Sequence, residues 1–360
     1  MPKVSSKLVT TTSAEAAATP ETRGKQLRAS LPRIGDFLRQ QGALITLIIV
    51  ITFSFIRYDN FDAITINSVL SFNAQFGLIA LGMTFVIMTG GIDLSVGGIA
   101  ALSSVVAALN SSHGFFYALA CAVLVGVGVG VVNGFVVAQM RVPAFVATLA
   151  TQYVVRGVAL RLINDAASIN LDQKSDFTTV GATTFGNGWL NPPIPFPIIL
   201  LLVAFLLGIF VLRYTRFGRY VLAIGGNGEA SQLMGLPVKR TTFLVYVLSG
   251  TLAGLAGVLL AINLNGGSAT EGKGWELIAI AAVVVGGTLL SGGVGSVFGT
   301  LVGSLLLSMI VEMLQLENNY TVDHGGGLYL NSFWQDVIRG IFLLIVVLLQ
   351  SRLQWRRARE

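Results

Sequence analysis

Few residues in this 360-residue chain can do chemistry. The most pointed is Asp93, within Gly90-Gly91-Ile92-Asp93-Leu94-Ser95-Val96-Gly97-Gly98, a carboxylate between glycine pairs and two apolar runs. A carboxylate in such a place pairs with another group, caps a helix, relays a proton or binds a polar substrate. Standing just before Leu94-Ser95-Val96, Asp93 suits the N-cap of the following helix, with a substrate or proton role as the alternative. Asn73, Gln75 and Asn133 are further polar residues in apolar runs. They line a polar passage or hydrogen-bond between helices. Arg156 and Arg161 fall toward the outer end of an apolar run and can snorkel. Asp336 and Arg339 are spaced to pair on one helix face.

Other chemistries lack their residues. His113 and His324 are far apart, Cys121 is the only cysteine, and no metal-ligand spacing occurs. The nearest approach to a P-loop is 267–274, where Gly272-Lys273 is followed by Gly274 instead of a hydroxyl. That segment also falls in an expected outer loop. There is no H-E-x-x-H and no plausible Ser/His/Asp set, so neither an enzyme, a cofactor nor a metal is expected.

The elements that must position these residues are membrane helices. Only 11% of the residues are charged, 54% are hydrophobic and the mean hydropathy is +0.77. Soluble domains carry about 25% charged residues. A soluble enzyme, a disordered chain and a nucleic-acid reader are thereby excluded. Apolar runs of helix-spanning length fall at about 43–57, 69–89, 94–110, 115–139, 144–163, 194–212, 242–262, 276–290, 294–314 and 333–350. The fold class is therefore all-α: a polytopic membrane protein of about ten transmembrane helices. The third and eighth runs are short. The net charge of +6 resides in three basic clusters, before the first run, in 213–240 and after the last. An even number of crossings puts all three in the cytoplasm, as the positive-inside rule requires. The organisation is a flexible cytoplasmic tail (1–42), a membrane domain (43–350) with a cytoplasmic loop (213–240), and a basic cytoplasmic tail (351–360).

The 42 glycines have two uses here. Gly126, Gly130 and Gly134 repeat on one helix face and suit close helix packing. Gly90-Gly91 and the related Gly286-Gly287-Thr288-Leu289-Leu290-Ser291-Gly292-Gly293 suit broken or re-entrant segments.

Three long motifs carry a resemblance. Gly82-Met83-Thr84-Phe85-Val86-Ile87-Met88-Thr89-Gly90-Gly91-Ile92-Asp93-Leu94-Ser95-Val96-Gly97 is one, and Arg216-Phe217-Gly218-Arg219-Tyr220 with Ala223-Ile224-Gly225-Gly226-Asn227 is the second. The third runs from Trp275-Glu276-Leu277-Ile278 to Gly286-Gly287-Thr288. In this order they resemble the sugar-importing ABC transporter permeases of the ribose, xylose and galactofuranose type, over roughly 43–350. The wider superfamily also carries branched-chain amino acids and nucleosides. The resemblance implies a bacterial inner-membrane importer with separate ABC ATPase subunits, an extracytoplasmic sugar-binding protein and a second permease chain. It also implies a cytoplasmic coupling helix with a loose E-A-A-x-x-x-G pattern. Glu229-Ala230-Ser231-Gln232-Leu233-Met234-Gly235 matches with one Ser for Ala. On that basis Asn227 caps the helix, while Glu229, Ala230, Leu233, Met234, Gly235 and Leu236 contact the ATPase. The rival class is a proton-coupled secondary transporter with Asp93 and Glu312 as relay groups.

Overall fold

The computed structural model describes residues 34–58, 61–172 and 193–324, with isolated positions in 176–185 and 334–344. Most of the expected tenth span, with Asp336 and Arg339, and the tail 351–360 lie outside the described residues. Residues Met1–Gly42 form a unit separate from Ala43–Glu360. Helical structure nevertheless begins at Ile34, within the expected tail.

In chain order the helices are α1 (Ile34–Arg57), α2 (Ala63–Met88), α3 (Val96–Leu109), α4 (Phe115–Ala138), α5 (Ala144–Leu162) and α6 (Phe196–Tyr214). They continue as α7 (Arg216–Gly226), α8 (Gly228–Leu233), α9 (Val238–Leu264), α10 (Trp275–Val285) and α11 (Val297–His324). Two short antiparallel pairs accompany them: β1 (Ser168–Asn170) with β4 (Gly266–Ser268), and β2 (Thr184–Phe185) with β3 (Ile194–Pro195). Among the described residues α2, α4, α6, α9 and α11 are long and apolar enough to cross a bilayer.

Helix α2 is longer than its apolar run suggested. Asp62 starts it by accepting from the Ile64 and Thr65 N–H groups, which have no partner inside the helix. At the far end of α1, Tyr58 is buried and donates to Glu317 of α11 at 2.8 Å. It pins α1 to α11.

Helices α2, α3 and α9 supply most of the buried core. The glycine stripe of α4 is what lets α9 approach: Gly126 lies against Gly250 and Gly254, Gly130 against Tyr246, and Gly134 against Phe243. Backbone meets backbone there, and contact area replaces the hydrophobic drive that lipid removes. The opposite side of α4 shows Phe116, Leu124, Val132 and Phe135, and α6 shows Leu206, Leu207 and Phe210. These faces suit contact with lipid.

The two short runs are indeed short helices. Helix α3 has 14 residues and α10 has 11, about 21 and 16 Å at 1.5 Å per residue. The hydrocarbon core is about 30 Å thick. Non-helical backbone at membrane depth is tolerated only where protein or water covers it. Here the cover is protein. Helix α3 is buried along nearly its whole length, and the backbone before it is bonded by its neighbours.

Candidate functional site

The break before α3 is held by a polar network centred on Asp93. Asp93 is fully buried. Its Oδ1 accepts from the Ser95 N–H at 3.0 Å and the Ser95 hydroxyl at 2.6 Å. Its Oδ2 accepts from the Ser249 hydroxyl of α9 at 2.8 Å. Asn133 of α4 donates to the Ser95 Oγ at 2.8 Å, and Thr151 of α5 donates to Asn133 at 2.7 Å. The network ties four helices, with the carboxylate joining α3 to α9 and Asn133 joining α4 and α5 to Ser95. The N-cap expectation needs correcting: Ser95 occupies that position, and its side chain makes no capping bond. Asp93 instead closes a turn two residues on and reaches across to α9. Two N–H groups around the start of α3 are satisfied from α5. Leu94 donates to Thr148 Oγ1 at 3.0 Å and Gly98 donates to Gln152 Oε1 at 2.7 Å.

The structure brings Asp93 and Asn133 into one network and places Asn73 and Gln75 in two others. Asn73 bonds Ser304 and Ser308 of α11. Gln75 accepts from Asn263 of α9 at 3.3 Å. All four are buried within the single chain and bonded to neighbouring helices.

The segment between α9 and α10 holds the main surprise. Its polar composition suggests an outer loop, yet it folds inward along α3. Ser268 donates its N–H to Ser104 Oγ at 3.1 Å, and Gly267 lies on Ser104 and Val105. Farther on, Gly272 lies on the backbone of Gly97 in the first turn of α3. From Ser104 to Gly97 the descent is about 10 Å along the helix. Helix α10 then starts at that depth, with Trp275 packed on Phe76 at 4.7 Å between ring centroids.

Arg156 fastens this re-entrant segment. Its Nη1 donates to the carbonyls of Ala269 at 2.8 Å and Glu271 at 2.9 Å. Arg156 therefore does not snorkel to the surface as its position in the apolar run suggested. Arg161, one turn beyond, is exposed and pairs with Asp165 at 3.7 Å. Glu276, in the first turn of α10, is half-buried, and its Oε2 lies over Gly97. Glu271 and Lys273 are exposed on the single chain beside it. A charge facing lipid near the bilayer centre costs about 2.5–3.5 kcal/mol on insertion scales. This charged face is therefore better suited to water or another polar surface than to acyl chains. The sequence carried a usable signal for it. Thr148, Gln152 and Arg156 recur every four residues on α5, and such a polar stripe on an apolar helix marks a face turned from lipid.

On the opposite side, three breaks meet. The Gly293 N–H donates to the Met88 carbonyl at the end of α2, 3.0 Å away. Gly225 of α7 lies on both groups, and Gly292 lies against Gly90. The two related glycine motifs thus touch each other and the end of α7. Below them, Asn227 caps α8 by accepting from Ala230 at 2.9 Å. Helix α8 ends as a Schellman motif. Leu236 N–H donates to Ser231 and Gly235 N–H to Gln232, both at 3.0 Å, with Gly235 at φ +78°. Leu233 is 90% exposed and Met234 70%. Glu229 is exposed beside them.

Comparison with known proteins agrees with this architecture. The branched-chain amino acid transport system / permease component family matches residues 65–347. The chain belongs to this permease family. Ribose import permease protein RbsC of Escherichia coli K12 is 37% identical over 325 residues, 88% of this chain and 95% of the relative. L-arabinose ABC transporter permease protein AraH of Azospirillum brasilense is 37% identical over 88% of both chains. Fructose import permease protein FruG of Bifidobacterium longum is 35% identical over 79% of this chain and 82% of its own. No solved structure matches the chain. The permease is thus a multi-pass helical membrane protein and one component of a transport system, forming a passage and catalysing no reaction of its own.

Proposed function

We propose that this permease forms the translocation pathway of an ATP-driven importer for a monosaccharide, in the bacterial inner membrane with both termini cytoplasmic. It works with ABC ATPase subunits, an extracytoplasmic sugar-binding protein and a second permease chain, identical or a paralogue. The observation that carries the reading is the cargo of its relatives, which are ribose, arabinose and fructose import permeases. The decisive experiment reconstitutes the permease with its cognate ATPase and binding protein in proteoliposomes. Uptake of D-ribose, L-arabinose or D-fructose is expected to require ATP and to persist with a protonophore. Uptake that collapses with the protonophore at constant ATP would favour a proton-coupled carrier. Uptake of leucine or a nucleoside in place of any sugar would move the cargo within the family.

The coupling site is the segment from Asn227 to Leu236. Leu233 and Met234 offer two apolar side chains to a groove on a soluble partner, in the manner of helix-in-groove recognition. The capped start and the Schellman end make α8 a rigid plug despite its six residues. A push on α8 reaches Gly225 through α7, and from there the backbone of Met88 and Gly293 directly. No flexible side chain intervenes, so a movement at the ATPase arrives at the breaks flanking α3 and α10.

Two results are expected. Leu233→Glu should strip the ATPase from the purified permease while leaving its helical content unchanged by circular dichroism. Gly235→Val forces a β-branched residue to φ +78°, at a cost of about 1–2 kcal/mol. It should unravel the end of α8 and uncouple ATPase activity from uptake. Normal sugar-stimulated ATPase activity in Gly235→Val would sink the coupling assignment.

A further inference from the structure

We propose that Arg156 and Glu276 form a subsite for sugar hydroxyls in the translocation pathway, an inference that rests on the monosaccharide reading above. Arg156 comes from α5 and Glu276 from the first turn of α10, and they meet where the re-entrant segment turns against α3. Both Nη1 bonds of Arg156 go to backbone carbonyls, which fixes the guanidinium plane. Its Nη2 is buried and has no hydrogen-bond partner, and neither has Glu276 Oε2. The two charges lie close enough to act on each other, yet they form no direct ion pair. A structural Arg–Glu pair would close on itself, because fork-to-carboxylate contact is its strongest geometry. This pair instead holds a donor and an acceptor apart.

A hydroxyl group matches both ends, since it accepts from the guanidinium and donates to the carboxylate. A polyol does so without adding charge. A zwitterionic amino acid brings charges of its own that must be matched at the same time. The exposed Glu271 and Lys273 continue the polar face outward from these two buried atoms. On the α3 side Gly97 puts no side chain beside Glu276 Oε2.

The test uses the reconstituted importer and whichever of D-ribose, L-arabinose or D-fructose the wild type carries. Uptake of that sugar and of its single-deoxy analogues is measured for the wild type, Glu276→Gln and Arg156→Lys. The binding protein's discrimination is common to all three, so the change in the parent-to-deoxy ratio isolates the permease. Glu276→Gln is expected to slow uptake of the parent sugar about tenfold. For one deoxy position the ratio should fall by a similar factor, because losing a contacted hydroxyl costs nothing further once its partner is gone. Arg156→Lys should lower the same ratio or that of the neighbouring hydroxyl. Co-purification of the whole complex checks that each variant assembles. Normal uptake, or a loss equal for the parent and every analogue, would overturn the subsite. A wild-type complex that carries none of the sugars would overturn the monosaccharide reading itself, before any variant is made.

Discussion

Replacing Gly225 by alanine is expected to reduce uptake to background. A methyl group there would fall on the Met88 carbonyl oxygen and the Gly293 N–H. Those two groups are bonded to each other at 3.0 Å, so the methyl must break the bond or push the breaks apart. Overpacking of this kind costs about 1–3 kcal/mol even against side chains that can move, and backbone moves less readily. The junction links α7 to the ends of α2 and of the 286–293 turn, so the same change cuts the proposed route from the ATPase. The neighbour supplies the control. Beside Gly226 the position of a methyl group is open, with no atom within 4 Å, and Gly226→Ala should transport within about twofold of the wild type, the spread usual for surface changes. Uptake per purified complex, beside the melting temperature of each variant, checks both. Equal activity of the two alanine variants would remove Gly225 from the coupling route.

Asp93→Leu is the second change with a large effect. It removes three accepted hydrogen bonds and leaves the Ser95 and Ser249 hydroxyls without their acceptor in a dry interior. An orphaned buried donor costs about 1–3 kcal/mol, so the sum is about 3 kcal/mol or more. The permease should express poorly and lose uptake. Asp93→Asn is expected to behave differently. Its Oδ1 still accepts both Ser95 donors, and its Nδ2 donates to Ser249, whose hydroxyl turns to accept. Uptake should stay substantial if the role is to hold the break. Complete loss of uptake by a normally expressed Asp93→Asn would mean that the charge itself is needed, as a proton or substrate role requires.

Several parts of the site were legible because their signals are local. Asn227 reads as a cap from its type and place, and it caps α8. Gly235 reads as the glycine of the coupling pattern, and it ends α8 at φ +78°. The spacing of Gly126, Gly130 and Gly134 marks a packing face, and α9 lies on it. Asp93 was visible as an anomaly, but its partner was not. Ser249 is distant in sequence and has no pattern that ties it to Asp93.

The sequence by itself determined the solvent and the class of the molecule. With 11% charge and apolar runs of spanning length, burial in a bilayer is the arrangement that leaves little apolar surface in water. It also marked the breaks at Gly90-Gly91 and Gly286-Gly287, where α2 and α10 end. Only the tertiary structure decided where the polar segments go. The stretch 265–274 has the composition of an outer loop, yet it lies along α3 because Ser104 accepts a hydrogen bond from it and Arg156 donates two to it there. Whether polar backbone stays in water or enters the protein depends on finding hydrogen-bond partners, and here they stand on helices far away in the chain. The same reason hid the junction of Met88, Gly225 and Gly293. Two glycine breaks that are separately plain in the sequence form one mechanical point with the end of α7 only when the fold stacks them.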